Sequence, residues 1–422
     1  MLDINLLRDN PRIIKDNLKK KFLKDKIKIV DLLVEKDKKW KKLKLKSDKL
    51  RSQRNKLSLS INALKKQGKK AFAEIKKASL IPKKLNKIEQ AKSKLEKDII
   101  SGLSELPNII HKSVPVGKSE KDNKVIRKFG KALKPKFELK SHGDLLERKE
   151  QSDFEASNKI SGAGFYFIQD KIAWLNQALI QYVIDFLRQR GYLYVEPPLM
   201  MRKKPYSGVV ELKDFQDVMY KIENEDLYLI ATSEHPLIAQ FMGKNIAFGK
   251  LPIKLAGYSM CFRKEIGSHG VDTKGLFRTH QFNKVEQVII CDPADSWKYF
   301  DELLRLSEEI FKSLGIPYRL LEMCSAELGS LKAKQIDLEV WMPRQGKYQE
   351  ATSLSNCTDF QARKLGIKSV DKNFNKTVLH TLNNTAIATS RVLVAIIENF
   401  QQKDGSISIP KVLHKYTGFK KI

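Results

Sequence analysis

From Ile29 onward, apolar side chains recur with a four–three spacing: Ile29, Leu33, Lys36, Trp40, Leu43, Ser47, Leu50, Arg54, Leu57, Ile61 and Leu64, eight of the eleven being apolar. That spacing lays one stripe along one side of a helix and reads as a coiled-coil seam about five heptads long. The stripe stops at Lys65-Lys66-Gln67-Gly68, a turn signal, and returns as Ile81, Leu85, Ile88, Lys92, Leu95, Ile99, Gly102 and Leu106. Two matched stripes around one glycine-containing turn predict an antiparallel helical hairpin. A helix of about 36 residues reaches roughly 54 Å, so the hairpin is expected to project as an arm. Pro82 either kinks the return helix or marks its start. Ahead of the arm, Asn10-Pro11 caps a short helix whose packed face is Ile14, Leu18 and Phe22.

Past the arm the pattern loosens. Pro107, Pro115 and Pro135 interrupt a stretch that also carries the charge run Lys118–Lys124, which reads as a linker over 111–165. Within it Ser141-His142-Gly143-Asp144 starts a short helix, with His142 expected at a surface or an interface. Helices and strands then alternate. Ile172, Leu175, Leu179, Val183 and Phe186 form one helix face, followed by the strand of GYLYVEPPLMMRK, which ends at Pro197-Pro198. Leu227–Ala231 is a strand. Asp292-Pro293 opens a helix running to Gly315, and strands follow at 318–323 and 338–342. This predicts an α+β domain over 166–422 behind a helical hairpin over 1–110.

Charge sharpens the division. Residues 1–100 hold 32 Lys and Arg against 12 Asp and Glu, a net of +20, and the rest of the chain carries +11 of the total +31. Such an excess points to a polyanion, nucleic acid above all, held through its phosphates. A lysine-biased composition loading exposed helix faces accounts for part of it. No run of 18 apolar residues exists, the N-terminus lacks the basic-then-apolar order of a secretory signal, and a cytoplasmic location without membrane association is expected. The four cysteines are scattered with no CxxC pair, which argues against a zinc ribbon and for free thiols.

Chemistry concentrates in Cys261–Glu286, CFRKEIGSHGVDTKGLFRTHQFNKVE. Two alternating segments flank a loop with Gly267, Gly270 and Gly275. Period-two alternation puts Arg263 and Glu265 on one face, and Arg278, His280, Phe282, Lys284 and Glu286 on another. A hairpin joining them gathers guanidinium forks, a ring and carboxylates, which suits phosphates, a base and an amine. A wet, salt-bridged sheet face has the same composition.

FRKE, GSHGVDTKG and RTHQFNKVE resemble motif 2 of class II aminoacyl-tRNA synthetases, in the form found in seryl-tRNA synthetases. The strand ending at Pro197-Pro198 resembles motif 1, the dimer-forming motif. Thr232-Ser233-Glu234 is similar to the family's T-x-E triplet, although Thr232 or Ser233 also reads as a helix cap. Glu350-Ala351-Thr352-Ser353 falls where the family has E-x-S-S, with Thr352 a departure. LHTLNNTAIATSRVLVAIIENF resembles motif 3 and carries Arg391. There Asn383-Asn384-Thr385-Ala386 replaces N-G-S-G, and losing both glycines is expected to stiffen a turn. The likeness extends over nearly the whole length.

The resemblance implies an antiparallel sheet flanked by helices, a homodimer, and a reaction in which ATP activates L-serine before transfer to tRNA(Ser), and to selenocysteine tRNA as well. It implies that the arm grips the long variable arm of serine tRNA. It implies catalytic roles for Arg263 and Arg391. For L-serine it implies Thr232, Ser233, Glu234, Arg263, Glu286, Asn383 and Thr385. For ATP it implies Arg263, Lys264, Glu265, Arg278, Thr279, Phe282, Glu350, Ala351, Thr352, Ser353 and Arg391. Glu350 and Ser353 offer hard oxygens for Mg²⁺. Competing readings are a synthetase of the same class for threonine or proline, a non-enzymatic tRNA-binding relative, and a structural coiled-coil protein. The arm and the Thr232–Glu234 triplet count against the first. The complete set Arg263, Glu265, Arg278, Glu286, Glu350 and Arg391 counts against the other two.

Overall fold

In the computed structural model, residues 1–132, 135–211, 217–265 and 275–422 are described, and the chain divides into two units, Met1–Ile109 and Ile110–Ile422. Gly267 and Gly270 of the glycine-rich loop lie outside the described residues.

The first unit begins with two short helices, of which α1 (Pro11–Lys20) has its proline at the first position, where the missing N–H costs nothing. Ile14 and Leu18 are buried, but Phe22 is not their partner. The helix has ended, Phe22 takes a left-handed φ of 59°, and it is 41% exposed. Helix α2 (Ile27–Lys66) runs for 40 residues, about 60 Å, and α3 (Phe72–Glu105) returns beside it. Every expected seam position on α2 is withdrawn from solvent except Arg54. Its polar seam positions find partners on α3: Lys36 Nζ donates to Asp98 at 2.8 Å, and Ser47 Oγ donates to Glu89 at 2.6 Å. Pro82 lies inside α3, ten residues past its start.

The second unit is built on an eight-stranded sheet: β1 (Lys124–Phe129), β2 (Leu193–Val195), β3 (Ile253–Phe262), β4 (Gln281–Cys291), β5 (Tyr318–Glu322), β6 (Lys334–Met342), β7 (Lys347–Asn356) and β8 (His380–Ala388). Their spatial order is β1-β5-β6-β7-β8-β4-β3-β2, antiparallel throughout except the edge pair β2/β3. The architecture is α+β, with a helical region ahead of an antiparallel-sheet core. The stretch 111–165 is more than a linker, because β1 completes one sheet edge against β5.

Helices α4 (Asp170–Arg188), α6 (Ser296–Leu314) and α7 (Thr389–Phe400) cover one face of the sheet and bury the main core with it, including Leu179, Val285, Ile289, Phe311, Leu338 and Val392. On the opposite face, Val288, Ile290 and Leu255 join a second apolar cluster with Leu237, Ile238 and Tyr206. Short helix α5 (Glu234–Ala239) reaches that face because Gly257 of β3 has no side chain; a Cβ there would stand 2.4 Å from Leu237. Beyond this cluster the same face opens into a cleft.

Candidate active site

Three adjacent strands supply the cleft. On β4, period-two alternation puts Phe282, Lys284 and Glu286 on its face, while Val285 and Ile289 point into the main core. The alternation does not reach back to His280, because β4 begins only at Gln281. His280 stacks on Phe165 at 5.0 Å, and its Nδ1 lies 2.6 Å from the Tyr220 hydroxyl and 3.0 Å from the Arg263 carbonyl. His142, expected at a surface or an interface, is fully buried. Its Nε2 accepts the Leu276 N–H at 3.1 Å, and Gly275 (φ 135°) passes so close that a Cβ would stand 2.1 Å from that nitrogen. The imidazole thus fixes where the chain re-enters the cleft, just before Phe277, Arg278 and Thr279.

Arg263, Glu265, Arg278, Thr279, Phe282, Glu350, Ala351, Thr385 and Arg391 share the cleft, which is open to solvent. The Arg263 guanidinium stands 5.2 Å from the Phe282 ring centroid, and its Nε donates to the Ala231 carbonyl at 3.3 Å. Arg391, in the first turn of α7, donates to the Glu350 carbonyl at 2.7 Å, lies 3.4 Å from its carboxylate, and stands 5.8 Å from the ring of Phe277. Arg263, Phe282 and Arg391, brought from three separate stretches of sequence, can therefore touch one ligand.

An acidic pocket adjoins the cleft. Glu286, almost wholly buried, accepts from Lys284 Nζ at 2.7 Å and from Thr385 Oγ1 at 3.1 Å. Glu234 is recessed beside it, with Gln361 Nε2 donating to its carboxylate at 3.2 Å. Burial first, and the nearby Glu286 second, push the Glu234 carboxyl up to about 7. Burial together with Lys284 and Arg263 holds His235, just behind, well below the usual imidazole range, so it adds no positive charge. Thr232 Oγ1 accepts the Glu234 N–H at 3.1 Å in a local turn just ahead of α5, whose N-cap, Ser233, makes no side-chain capping bond. Asn383 shares the face of Thr385, and its amide points to the Cys357 thiol at 3.8 Å.

Three expected site residues turn elsewhere. Ser233 is fully buried and donates its hydroxyl to the Gly257 carbonyl at 2.9 Å. Lys264 holds its ammonium over Tyr220 at 5.6 Å. Thr352 is buried opposite Leu338, on the core face of β7. The stiffened turn expected at Asn383–Ala386 is also corrected. The tetrad lies inside β8, none of its residues takes a positive φ, and Asn384 points into the core, donating to Gln287 Oε1 and Ser307 Oγ at 2.7 Å each. Sequence reasoning assigned no role to Lys284, Phe277, Gln361 or Asp337. The even spacing of Lys284 with Phe282 and Glu286 was a usable signal; the other three meet the site only through tertiary packing.

The oxygen set suits a hard divalent cation. Glu350 and Ser353 are three residues apart, a spacing that puts side chains on opposite faces of a regular strand. Between them β7 slips register: Thr352 pairs with Leu338, Glu350 pairs with Glu339, and Ala351 is left as a bulge. The bulge returns Glu350 and Ser353 to one face. Ser353 Oγ is shielded from solvent, and Asp337 stands directly opposite Ser353 on β6, with its carboxylate within reach of that hydroxyl. Burial first, then Glu350, push the Asp337 carboxyl up to about 7. A shielded hydroxyl beside two carboxylates is a set of hard oxygens, the donor type that Mg²⁺ takes.

Comparison with known proteins gives concordant matches. The family profile described as the tRNA synthetase class II core domain (G, H, P, S and T) matches residues 218–400, and the seryl-tRNA synthetase N-terminal domain matches residues 1–110. The serine–tRNA ligase of Methanocella arvoryzae is 46% identical over 418 residues, 99% of this chain and 98% of that protein. The crystal structure of seryl-tRNA synthetase from Pyrococcus horikoshii complexed with ATP superposes with a TM-score of 0.95 at 43% identity, covering 100% of this chain and 99% of the other. The cytoplasmic serine–tRNA ligase of Naegleria fowleri in complex with AMP gives 0.90 at 33% identity, covering 100% and 98%.

Proposed function

Because the chain belongs to the seryl-tRNA synthetase family of class II aminoacyl-tRNA synthetases, we propose that its cleft joins L-serine to ATP as seryl-adenylate and passes the seryl group to the 3′ end of serine tRNA. The chain is an enzyme of the aminoacyl-tRNA ligase kind, and ATP is its nucleotide.

The serine carboxylate is already an anion near pH 7, so attack on the α-phosphorus needs no general base. The demands are alignment of the two reactants and neutralisation of the charge on the triphosphate. Arg263 meets both in this reading, bridging the α-phosphate and the serine carboxylate. Phe282 supports one face of adenine and Arg391 closes over the other, a cation–π sandwich. Glu265 and backbone near Thr279 frame the base and sugar, and Arg278 reaches the γ-phosphate. Glu350 and Ser353 would hold Mg²⁺, which when bound draws charge from the phosphates and steadies the pyrophosphate leaving group. Glu234 and Glu286 take the serine ammonium, with Thr232, Asn383 and Thr385 around the hydroxyl. A pocket built to bond that hydroxyl rejects alanine, because its own polar groups would be left unpaired.

The carrying observation is that Arg263, Phe282, Glu350 and Arg391 line one cleft. Arg263→Ala is expected to lower serine-dependent ATP–pyrophosphate exchange by roughly 100-fold or more in a protein that melts normally. Exchange at the wild-type rate would remove Arg263 from this role.

The basic hairpin is the tRNA grip of the same reading, and selenocysteine tRNA, where a cell makes one, takes the same seryl group. A homodimer is favoured by Phe167, Trp174, Leu193, Leu199 and Met200, apolar side chains exposed on and around the segment resembling motif 1. Sedimentation at micromolar concentration tests it. A reducing, cytoplasmic setting agrees with four cysteines that are all free thiols.

A further inference from the structure

We propose that Gln361 is a positioning residue of the serine pocket: its amide holds the Glu234 carboxylate in the orientation that takes the serine ammonium. This rests on the reading of Glu234 as an ammonium ligand and adds the group that aims it.

Gln361 lies on the short helix Phe360–Leu365 and is 1% exposed. Its amide is bonded to three other elements at once. Nε2 donates to the Glu234 carboxylate of α5 at 3.2 Å and to the Val209 carbonyl, at the end of the helix Lys203–Val209, also at 3.2 Å. Oε1 accepts the Thr381 hydroxyl of β8 at 2.5 Å. Both N–H groups and the carbonyl are therefore used. The arrangement has one sense only. A carboxylate and a backbone carbonyl can only accept, so a turned amide would set oxygen against oxygen at both. The bond to Glu234 goes to Oε1 and leaves Oε2 for the ammonium.

The charges around Glu234 explain why it needs such a donor. Glu286 on β4 faces it as a like charge, and Lys284 on β4 and Lys332, ahead of β6, act on it as opposite charges. The Cys357 thiol and the Tyr206 hydroxyl are also near, and neutral His235 follows it on α5. Gln361 adds a direct hydrogen bond, and a donor to the ionised carboxylate favours that form. Without the donor, burial and Glu286 would keep the proton on Glu234 to higher pH, and the carboxylate would lose the contact that fixes its direction.

The test is serine-dependent ATP–pyrophosphate exchange by the full chain between pH 6 and 9, for the wild type, Gln361→Met and Glu234→Gln. Methionine keeps the length of the side chain and removes the donor. Gln361→Met is expected to raise KM for serine about 10-fold at pH 7, the worth of a lost hydrogen bond to a charged group, while KM for ATP changes less than about 2-fold. The midpoint of the KM profile for serine is expected to move up by about one pH unit. A role in folding alone would leave that midpoint where it is, and an unmoved midpoint overturns the proposal. Wild-type KM and midpoint in Gln361→Met, with a raised and flattened profile in Glu234→Gln, overturn the proposal and leave the reading of Glu234 standing. Wild-type profiles in both variants overturn the reading and the proposal together. If Gln361→Met does not fold, a crystal structure of the wild type with the seryl-sulfamoyl analogue of the adenylate decides. One Glu234 oxygen on Gln361 and the other on the ammonium supports the proposal, and a carboxylate that holds the ammonium turned away from Gln361 overturns it.

Discussion

Glu234 shows how one recessed side chain can set a pH dependence. With its carboxyl pushed up to about 7 by burial and by Glu286, it is largely protonated at pH 6 and ionised at pH 8. A serine ammonium needs the ionised form. KM for serine is therefore expected to rise as pH falls below about 7, toward tenfold per unit, and Glu234→Gln should flatten that slope in exchange assays. A slope unchanged in the variant would take Glu234 out of the ammonium site. Stability runs the other way. The folded carboxyl keeps a proton between pH 4.5 and about 7 that the unfolded chain has released, so its contribution is present below pH 4.5 and lost as pH rises through 7. Serine, by pairing with the ionised form, is expected to raise the melting temperature more at pH 8 than at pH 6.

In the hairpin, packing outweighs ion pairing. Ile99 is buried in the α3 seam, whereas Lys36 and Asp98 meet in partial contact with water. Ile99→Ala is expected to cost about 2–5 kcal/mol of local stability, read as faster amide hydrogen exchange across α2 and α3. Lys36→Ala should cost a small fraction of that, because an exposed pair gains little over water. Equal effects would mean that the seam is not what holds the hairpin. The sheet makes a different use of irregularity. The slip at Ala351 in β7 puts Glu350 and Ser353 on one face, and a second slip, between Thr385 and Ile387 of β8, lets Thr385 and Ala388 share the cleft. Both bulges sit where strands must aim polar groups at one ligand.

For the whole molecule, the division into a basic helical unit and a sheet unit predicts separable functions. Removing Ile29–Leu106 should leave serine-dependent pyrophosphate exchange within about 2-fold, while tRNA charging falls by roughly 1,000-fold through lost phosphate contacts. Equal charging with and without the hairpin would end its role as the tRNA grip. The seam, the turn at Gly68, the α+β alternation and the helix ending at Gly315 were legible because each depends on residues a few positions apart, whose spacing fixes which face they share, although Asp292-Pro293 opens a single 3₁₀ turn and α6 itself starts at Ser296. Likeness to a family named the chemistry at Arg263, Phe282, Glu350 and Arg391. Depth was not legible: nothing local distinguishes the buried His142 clamp from a surface histidine, or a withdrawn Ser233 from a ligand-facing one. The bulge that turns Glu350 beside Ser353, the register that sets Asp337 against them, and the coupling of Glu234 to Glu286 came from the folded chain alone. Each depends on strands far apart in sequence settling their register against each other, and spacing along a single strand carries no record of its neighbour.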